Sequence, residues 1–319
     1  MVEETENKNI IINGESIAPG EQKLVFLKIA RLPTGTLIDI PVHVFNAKRP
    51  GPTVLIQAGL HGDEINGVET LRRLLQDDFF LIKKGAVIVV PILNIFGFIH
   101  FSRDVPDGKD VNRSFPGTKS GSLASRIAHT YTEQILPQIH YGIDLHTGGG
   151  QRHNHPQVRY STNDLKSMEL AQIFGAPFYF SSRMITGSFR KATFKMGVPT
   201  IVYEAGESMR FDENAISCAT KGIQNVLVHL GMLPKNTAST SDPSVHLEQT
   251  RWTRAPRAGM FIPQVYNGQW VEKGQVLGLV ADTYAKKNKK VKAAFDGFVI
   301  CINHQAVVNQ GDALFHLGR

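Results

Sequence analysis

His61-Gly62-Asp63-Glu64 sits where an apolar run gives way to a helical pattern. An imidazole and a carboxylate three residues apart can grip one metal ion from the same side. Both are ordinary zinc ligands, at about 2.0–2.2 Å. The same four residues could instead end a strand and cap a helix, because acidic side chains suit a helix N-terminus. A third ligand, a base and a substrate anchor must come from elsewhere if this is an enzyme.

Asp144-Leu145-His146-Thr147-Gly148 offers the third ligand. His146 follows a short apolar strand and would complete a set of two histidines and one carboxylate, leaving a position open for water. Asp144, on the same strand face, could orient the imidazole through its other nitrogen. The plainer reading is a buried strand-end histidine bonded to backbone. His153 and His155, beyond the glycines, are weaker candidates. Arg103 and the run Asp110-Val111-Asn112-Arg113-Ser114-Phe115-Pro116-Gly117 bring two arginines and an amide into one long loop. A guanidinium fork matches a carboxylate, and Arg103 could also steady an oxyanion. Two solvated loop arginines are the bland alternative. Glu204, in Tyr203-Glu204-Ala205-Gly206-Glu207, leaves the end of another apolar strand. A carboxylate there can take a proton from water and hand it to a leaving amine. Glu207 is the second choice, and capping of the next turn is the non-catalytic one. Each bland reading is reasonable alone, yet together they require four coincidences at strand ends.

HGDE, DVNRSFPG, DLHTG and YEAG, in that order, make the chain resemble the succinylglutamate desuccinylase and aspartoacylase family over about residues 50–230. Those proteins are zinc carboxypeptidase-like amide hydrolases. The resemblance implies one Zn2+ per chain held by His61, Glu64 and His146. It implies Asn112 and Arg113 on the substrate carboxylate, Arg103 at the carbonyl oxygen and Glu204 as the base.

The elements that must position these residues follow from pattern. Polar residues 1–20 read as an extended arm. Lys23–Leu32 and Thr36–Phe45 read as strands about a Pro33-Thr34-Gly35 turn, the second alternating with period two. Thr53–Ala58, Ala86–Ile92, Tyr141–Leu145, Pro177–Phe180 and Pro199–Tyr203 read as strands, most of them strongly apolar. Ile65–Leu75, Leu123–Leu136, Leu165–Phe174, Ser188–Met196 and Glu213–Leu230 read as helices. Asn94–Gly117 reads as a long functional loop. Strands alternating with helices predict an α/β domain, a mixed and mostly parallel carboxypeptidase-like sheet flanked by helices. The candidate residues fall after strands, where such sheets place ligands.

After a Ser/Thr-rich linker at Pro234–Pro243, the pattern turns all-β with regular glycines, as in barrel-sandwich folds. The chain therefore divides into a hydrolase domain at 1–235, with 1–50 as its β arm, and a β domain at 245–319. Lys286 falls roughly where a lipoyl or biotinyl carrier lysine would sit. Its neighbours Ala285 and Lys287 do not match such a site, so Lys286, Lys287, Lys289 and Lys290 read as a solvated hairpin tip. Arg152, Arg159, Arg183 and Tyr160 are candidates to line the specificity pocket.

The 319 residues carry 35 basic and 28 acidic side chains, a formal charge of +7. That balance favours an acidic small molecule, and no nucleic-acid-binding signature accompanies it. Cys218 and Cys301 show no disulfide or CxxC pattern. The N-terminus lacks a secretory h-region, and no apolar run reaches the roughly 20 residues a membrane span needs. The expectation is a cytoplasmic enzyme, free or as a homo-oligomer, cleaving the amide of a small N-acyl amino acid. The rivals are a metallocarboxypeptidase on short peptides and a non-catalytic binding or carrier module with a degenerate metal site.

Overall fold

The computed structural model describes residues 6–235, 243–284 and 286–319; residues 236–242 of the expected linker lie outside that range. A short hairpin of β1 (Ile10–Ile12) and β2 (Glu15–Ile17) comes first. It is followed by β3 (Gln22–Arg31), β4 (Leu37–Asn46), β5 (Arg49–Gln57), α1 (Ile65–Gln76) and β6 (Lys84–Val90). Next come α2 (Ile95–His100), α3 (Leu123–Gln134), β7 (Tyr141–Gly148) and β8 (Arg152–Ser161). The helical half closes with α4 (Leu165–Phe174), β9 (Phe178–Ser182), α5 (Phe189–Lys195), β10 (Thr200–Glu207) and α6 (Glu213–His229).

The β-branched runs form the centre of one mixed sheet. β5 pairs parallel with β6 and with β7, and β7 parallel with β10, while β4 and β8 join antiparallel. Side chains of a strand alternate between faces, and β5 shows it. Val54 and Ile56 enter the core covered by α1, α4 and α6, while Leu55 enters the core covered by α3, α5 and the N-terminal hairpin. β6 does the same, with Val87 and Val89 on one side and Ala86, Ile88 and Val90 on the other. The result is a sheet between two helical layers.

Two elements differ from expectation. The segment after Asn94 holds the helix α2 and a 3-10 turn, Val111–Arg113, and is not loop throughout. The ten-residue strand β8 has no counterpart in the periodicity, because Pro156 interrupts it and its buried positions include the polar Asn154 and Gln157. β8 is nevertheless central. It pairs with β10 on one side and with β9 and the C-terminal strand Gly297–Asn303 on the other.

The C-terminal strands are β11 (Val245–His246), β12 (Thr250–Arg254), β13 (Gly259–Pro263), β14 (Trp270–Val271) and β15 (Val276–Ala281). They continue as β16 (Asn288–Lys292), β17 (Gly297–Asn303), β18 (Val307–Val308) and β19 (Ala313–Gly318). β16, β15, β13 and β18 form a separate four-stranded sheet. β12, β19 and β17 extend the main sheet beyond β8, so one sheet runs without a break from β3 to β12. The two C-terminal layers enclose their own core around Phe261, Leu277, Val299 and Phe315. β16 is an edge strand with Lys289 and Lys290 exposed, as edges that must not pair further tend to be. Among the described residues no helix is long and apolar enough to cross a membrane.

Candidate metal centre and active-site cavity

Parallel strands bring their C-terminal ends to one edge. Gln57 at the end of β5 lies opposite Asp144 of β7, and His146 of β7 lies opposite Glu204 of β10. Three of the four motifs therefore converge through sheet register alone. His61 follows β5 after a short turn. Gly62 is required there by space: a Cβ at this position would lie 1.8 Å from the backbone of Gly97 in α2. The glycine of HGDE thus lets α2 pack directly against the turn.

Glu64 immediately precedes α1 but does not cap it. Its Oε1 lies 2.7 Å from His61 Nδ1, and its Oε2 lies 2.8 Å from His146 Nδ1 and accepts the Thr147 N–H at 3.0 Å. One carboxylate is thus shared between two imidazoles, and all three residues are buried. Each ring has an aspartate at its other nitrogen, in hydrogen-bond contact for His146 and only at ion-pair distance for His61, whose Nε2 makes no hydrogen bond. His146 Nε2 lies 2.9 Å from Asp144, whose second oxygen accepts from Gln57, which in turn accepts from the Tyr131 hydroxyl. His61 Nε2 faces Asp110 at 3.4 Å. Ligand atoms of His61, Glu64 and His146 lie within 4.8 Å of one another. Two Nδ1 atoms and a carboxylate, with an aspartate behind each imidazole, fit a metal ion and the outer partners that orient its ligands.

The electrostatics agree. Burial alone would favour neutral imidazoles, but the charge of Glu64 and the contact with Asp110 raise His61 above its ordinary pKa. Asp144 and Glu64 likewise overcome burial and raise His146 well above its own. Burial would also raise Glu64, yet the two histidines hold it well below the usual carboxylate range. The group attracts positive charge, which a metal ion satisfies as well as protons do.

Around it lies a cavity of about 690 Å³. Arg103 is clamped by Asp110, with Nε and Nη2 each 2.9 Å from Oδ2. Its Nη1 points between His61 Nδ1 at 3.3 Å and Glu64 Oε1 at 3.7 Å. Asp110 therefore serves His61 and Arg103 together, and these two charges hold its carboxyl low against the effect of burial. Asn112 Oδ1 accepts the Phe189 N–H, tying the long loop to α5 and leaving Nδ2 as the donor it can offer. Arg113 lines the cavity beside it. On the far strand, Glu204 accepts from Asn154 at 2.9 Å and pairs with Arg159 at 3.1 Å.

Residues 50–230 match the family model of the succinylglutamate desuccinylase/aspartoacylase catalytic domain. The chain belongs to this family. A curated relative, the N-alpha-acetyl-L-2,4-diaminobutyric acid deacetylase of Halomonas elongata, is 29% identical over 290 residues, which is 87% of this chain and 84% of that protein. A succinylglutamate desuccinylase/aspartoacylase structure from Rhodobacter sphaeroides aligns at TM-score 0.82 and 26% identity, covering 94% of this chain and 95% of that one. The product-bound ectoine utilization protein EutE (DoeB) from Ruegeria pomeroyi aligns at TM-score 0.82 and 25% identity, covering 93% and 94%.

Within this family fold the predicted residues His61, Glu64, His146, Arg103, Asn112, Arg113 and Glu204 all face one cavity. Arg152, Arg159 and Arg183 line it too, but Tyr160 does not. The Tyr160 hydroxyl instead meets His246 at 2.9 Å. Asp63 shows no capping bond; its Oδ1 is buried without a partner at the cavity edge. His153 and His155 line a separate cavity. Sequence reasoning missed Arg190, Asn154 and Trp252. Arg190 sits in a short helix whose cation reads as solvated, and Asn154 lies on the unrecognised strand. Trp252 arrives only because β12 extends the catalytic sheet.

Proposed function

We propose that this protein hydrolyses the amide bond of a small N-acyl amino acid, or a related carboxylate-bearing amide, using one Zn2+ held by His61, Glu64 and His146. The observation that carries the reading is Glu64, whose carboxylate is divided between two aspartate-backed imidazoles at the foot of an arginine-lined cavity. The deacetylase relative and the EutE likeness support amide hydrolysis as the chemistry.

When bound, zinc acidifies a water toward a pKa of about 7 and polarises a carbonyl. Glu204 takes the proton as the water oxygen bonds to the acyl carbon, and returns it to nitrogen as the C–N bond breaks. Asn154 and Arg159 hold the Glu204 carboxylate in place for this. Arg103 directs Nη1 toward the developing oxyanion. Asn112 and Arg113 take the substrate carboxylate and fix its orientation. The products are a carboxylate and an amine. Six arginines line the cavity, an environment suited to an anionic substrate and unfavourable to a free ammonium group.

The test is zinc content together with turnover of acetyl, succinyl and aspartyl amides of amino acids against a set of dipeptides. The expected result is about one zinc per chain and amide cleavage that a chelator abolishes and zinc restores. A chain with full zinc that cleaves dipeptides alone would be a carboxypeptidase. One that takes up no zinc would be a binding module.

A further inference from the structure

The helical layer of α1, α4 and α6 packs over β7, β8 and β10 and stops short of the β3 edge of the main sheet. One row of register partners shows where it ends. Val89 of β6 is fully buried, His43 of β4 beside it is half-buried, and Leu24 of β3 is 43% exposed. Register partners share a face of the sheet. Leu24 and Phe26 of β3 and Pro41 and His43 of β4 therefore lie on the side of that layer, beyond its end. Phe26 is 48% exposed. The opposite face of the same two strands is closed, with Val25, Leu27, Ile40 and Val42 in the core. A contiguous apolar face left bare in this way marks an interaction surface.

Edge, charge and unpaired groups select what covers it. β3 ends the sheet, but its Phe26 carbonyl already accepts from Asn13 Nδ2, so its ladder is not free along its length for an added strand. The face carries no excess charge to attract a polyanion or an anionic surface. Lys28 lies opposite Asp39, and burial lowers His43 from its ordinary pKa, leaving the ring neutral at pH 7. Asp39 Oδ1 is buried with no hydrogen-bond partner, and no carboxylate contributes to the shift of His43. These two residues stand two positions either side of Pro41 on one strand face. A twofold axis at Pro41 sets Asp39 of each copy against His43 of the other, as a self-complementary contact requires. The size also suits a second copy. Exposed Leu81 extends the face at the end where Gln22 meets Phe45. Ten-residue strands span about 33 Å, and a face roughly 15 Å wide, buried twice, gives roughly 1,000 Å², the lower bound of a specific interface.

We propose that this face joins two copies of the chain in a symmetric dimer, with β3 and β4 of one packed on β3 and β4 of the other about an axis at Pro41. The imidazole of His43 donates to Asp39 Oδ1 across the axis, giving a buried acceptor the partner it lacks within one chain. Leu24 and Phe26 fill the centre of the contact, where aromatic anchors carry most of the binding. None of these residues lines the active-site cavity. The dimer therefore stands independently of which amide the protein cleaves.

Sedimentation equilibrium of the full chain tests this, over roughly 1–500 µM, the range suited to an interface of this size. The wild type should show a reversible monomer–dimer equilibrium. Phe26→Glu should weaken it by more than about 10-fold while keeping the wild-type circular dichroism, because the side chain is half in solvent. Phe26→Ala should act in the same direction by less, and decides the matter should Phe26→Glu not fold. His43→Asp sets carboxylate against carboxylate and should also dissociate the dimer; combining it with Asp39→His should bring the dimer back. Ile262→Glu, on the bare face of the four-stranded sheet and 46% exposed, should change nothing. A wild type that stays monomeric at about 500 µM overturns the proposal. So does a dimer that folded Phe26 variants leave intact, or one that Ile262→Glu dissociates instead. Failure of the exchanged pair to restore a dimer that Phe26→Glu dissociates overturns the axis at Pro41.

Discussion

His61 and His146 share one carboxylate, whereas His153 and His304 each have their own. The ring pairs are similarly spaced, with centroids 5.0 Å apart in the first and 5.7 Å in the second. His153 pairs with Asp212 and His304 with Glu207, each at 3.1 Å. By residue type the second group looks as able to bind metal as the first. The difference is convergence. Glu64 reaches both Nδ1 atoms at once, while Asp212 and Glu207 turn their histidines toward separate partners. Asp212 is also engaged in capping α6 through the Asn214 and Ala215 N–H groups, and Asn267 meets the other nitrogen of His153. Exposure differs as well: the first pair is buried, and the second is partly solvated. Ligand type matters less than the number of donor atoms aimed at one point with water excluded.

The strongest way to break this comparison is to remove its shared group. Glu64→Ala should abolish zinc retention and reduce turnover to background. The double variant His153→Ala/His304→Ala should retain about one zinc per chain, measured by metal analysis after dialysis. Zinc loss from the double variant would show that the second group is the metal site. Glu204→Gln comes next. It should leave zinc bound and lower kcat by roughly 10²–10⁴-fold, the range for loss of a general base. Full activity in a zinc-loaded Glu204→Gln protein would remove the base assignment.

Outer partners should matter less, and unequally. Asp144→Asn and Asp110→Asn should each weaken zinc by roughly 10–100-fold. The larger loss is expected at Asp144, which lies 2.9 Å from its imidazole, against 3.4 Å for Asp110. Competition with a chelator gives both affinities. The reverse order would mean that the distances do not report the strength of support.

The convergence was readable in part because its residues follow strands with strong local signals. Thr53–Ala58 is a β-branched apolar run that reads as a buried strand, and the register of β5, β7 and β10 then brings His61, His146 and Glu204 to one edge. Asp110 was visible as the first residue of its motif, but its contact with His61 needs the fold of the whole loop. β8 was illegible for a physical reason. Its buried polar residues are held by hydrogen bonds to other strands: Asn154 donates to Glu204, and Gln157 to the Ile300 carbonyl. Alternation of apolar and polar residues cannot reveal a strand whose buried side serves a polar cavity and a neighbouring strand. Trp252 and Arg190 carried no local signal, since their places in the cavity depend on sheet continuation and helix docking far along the chain.

His316 supplies the third case, a histidine without any carboxylate. It stacks on Trp252 at 4.6 Å with nearly parallel rings and meets the edge of Phe180. Its Nδ1 is buried without a partner. Burial, reinforced by Arg159, lowers its pKa to about 3. Between that value and the ordinary 6.5 the unfolded chain binds a proton that the folded chain does not. The contribution to stability is therefore present above pH 6.5 and is lost as the pH falls toward 3. Between pH 6.5 and 5 the loss reaches up to about 2 kcal/mol, a few degrees in Tm. His316→Phe keeps an aromatic ring against Trp252 and removes the titration. Its melting temperature should therefore fall less than that of the wild type between pH 7 and 5. Parallel Tm curves for the two proteins would mean that His316 charges in the folded state without cost, and that a carboxylate is not what separates the three histidine environments.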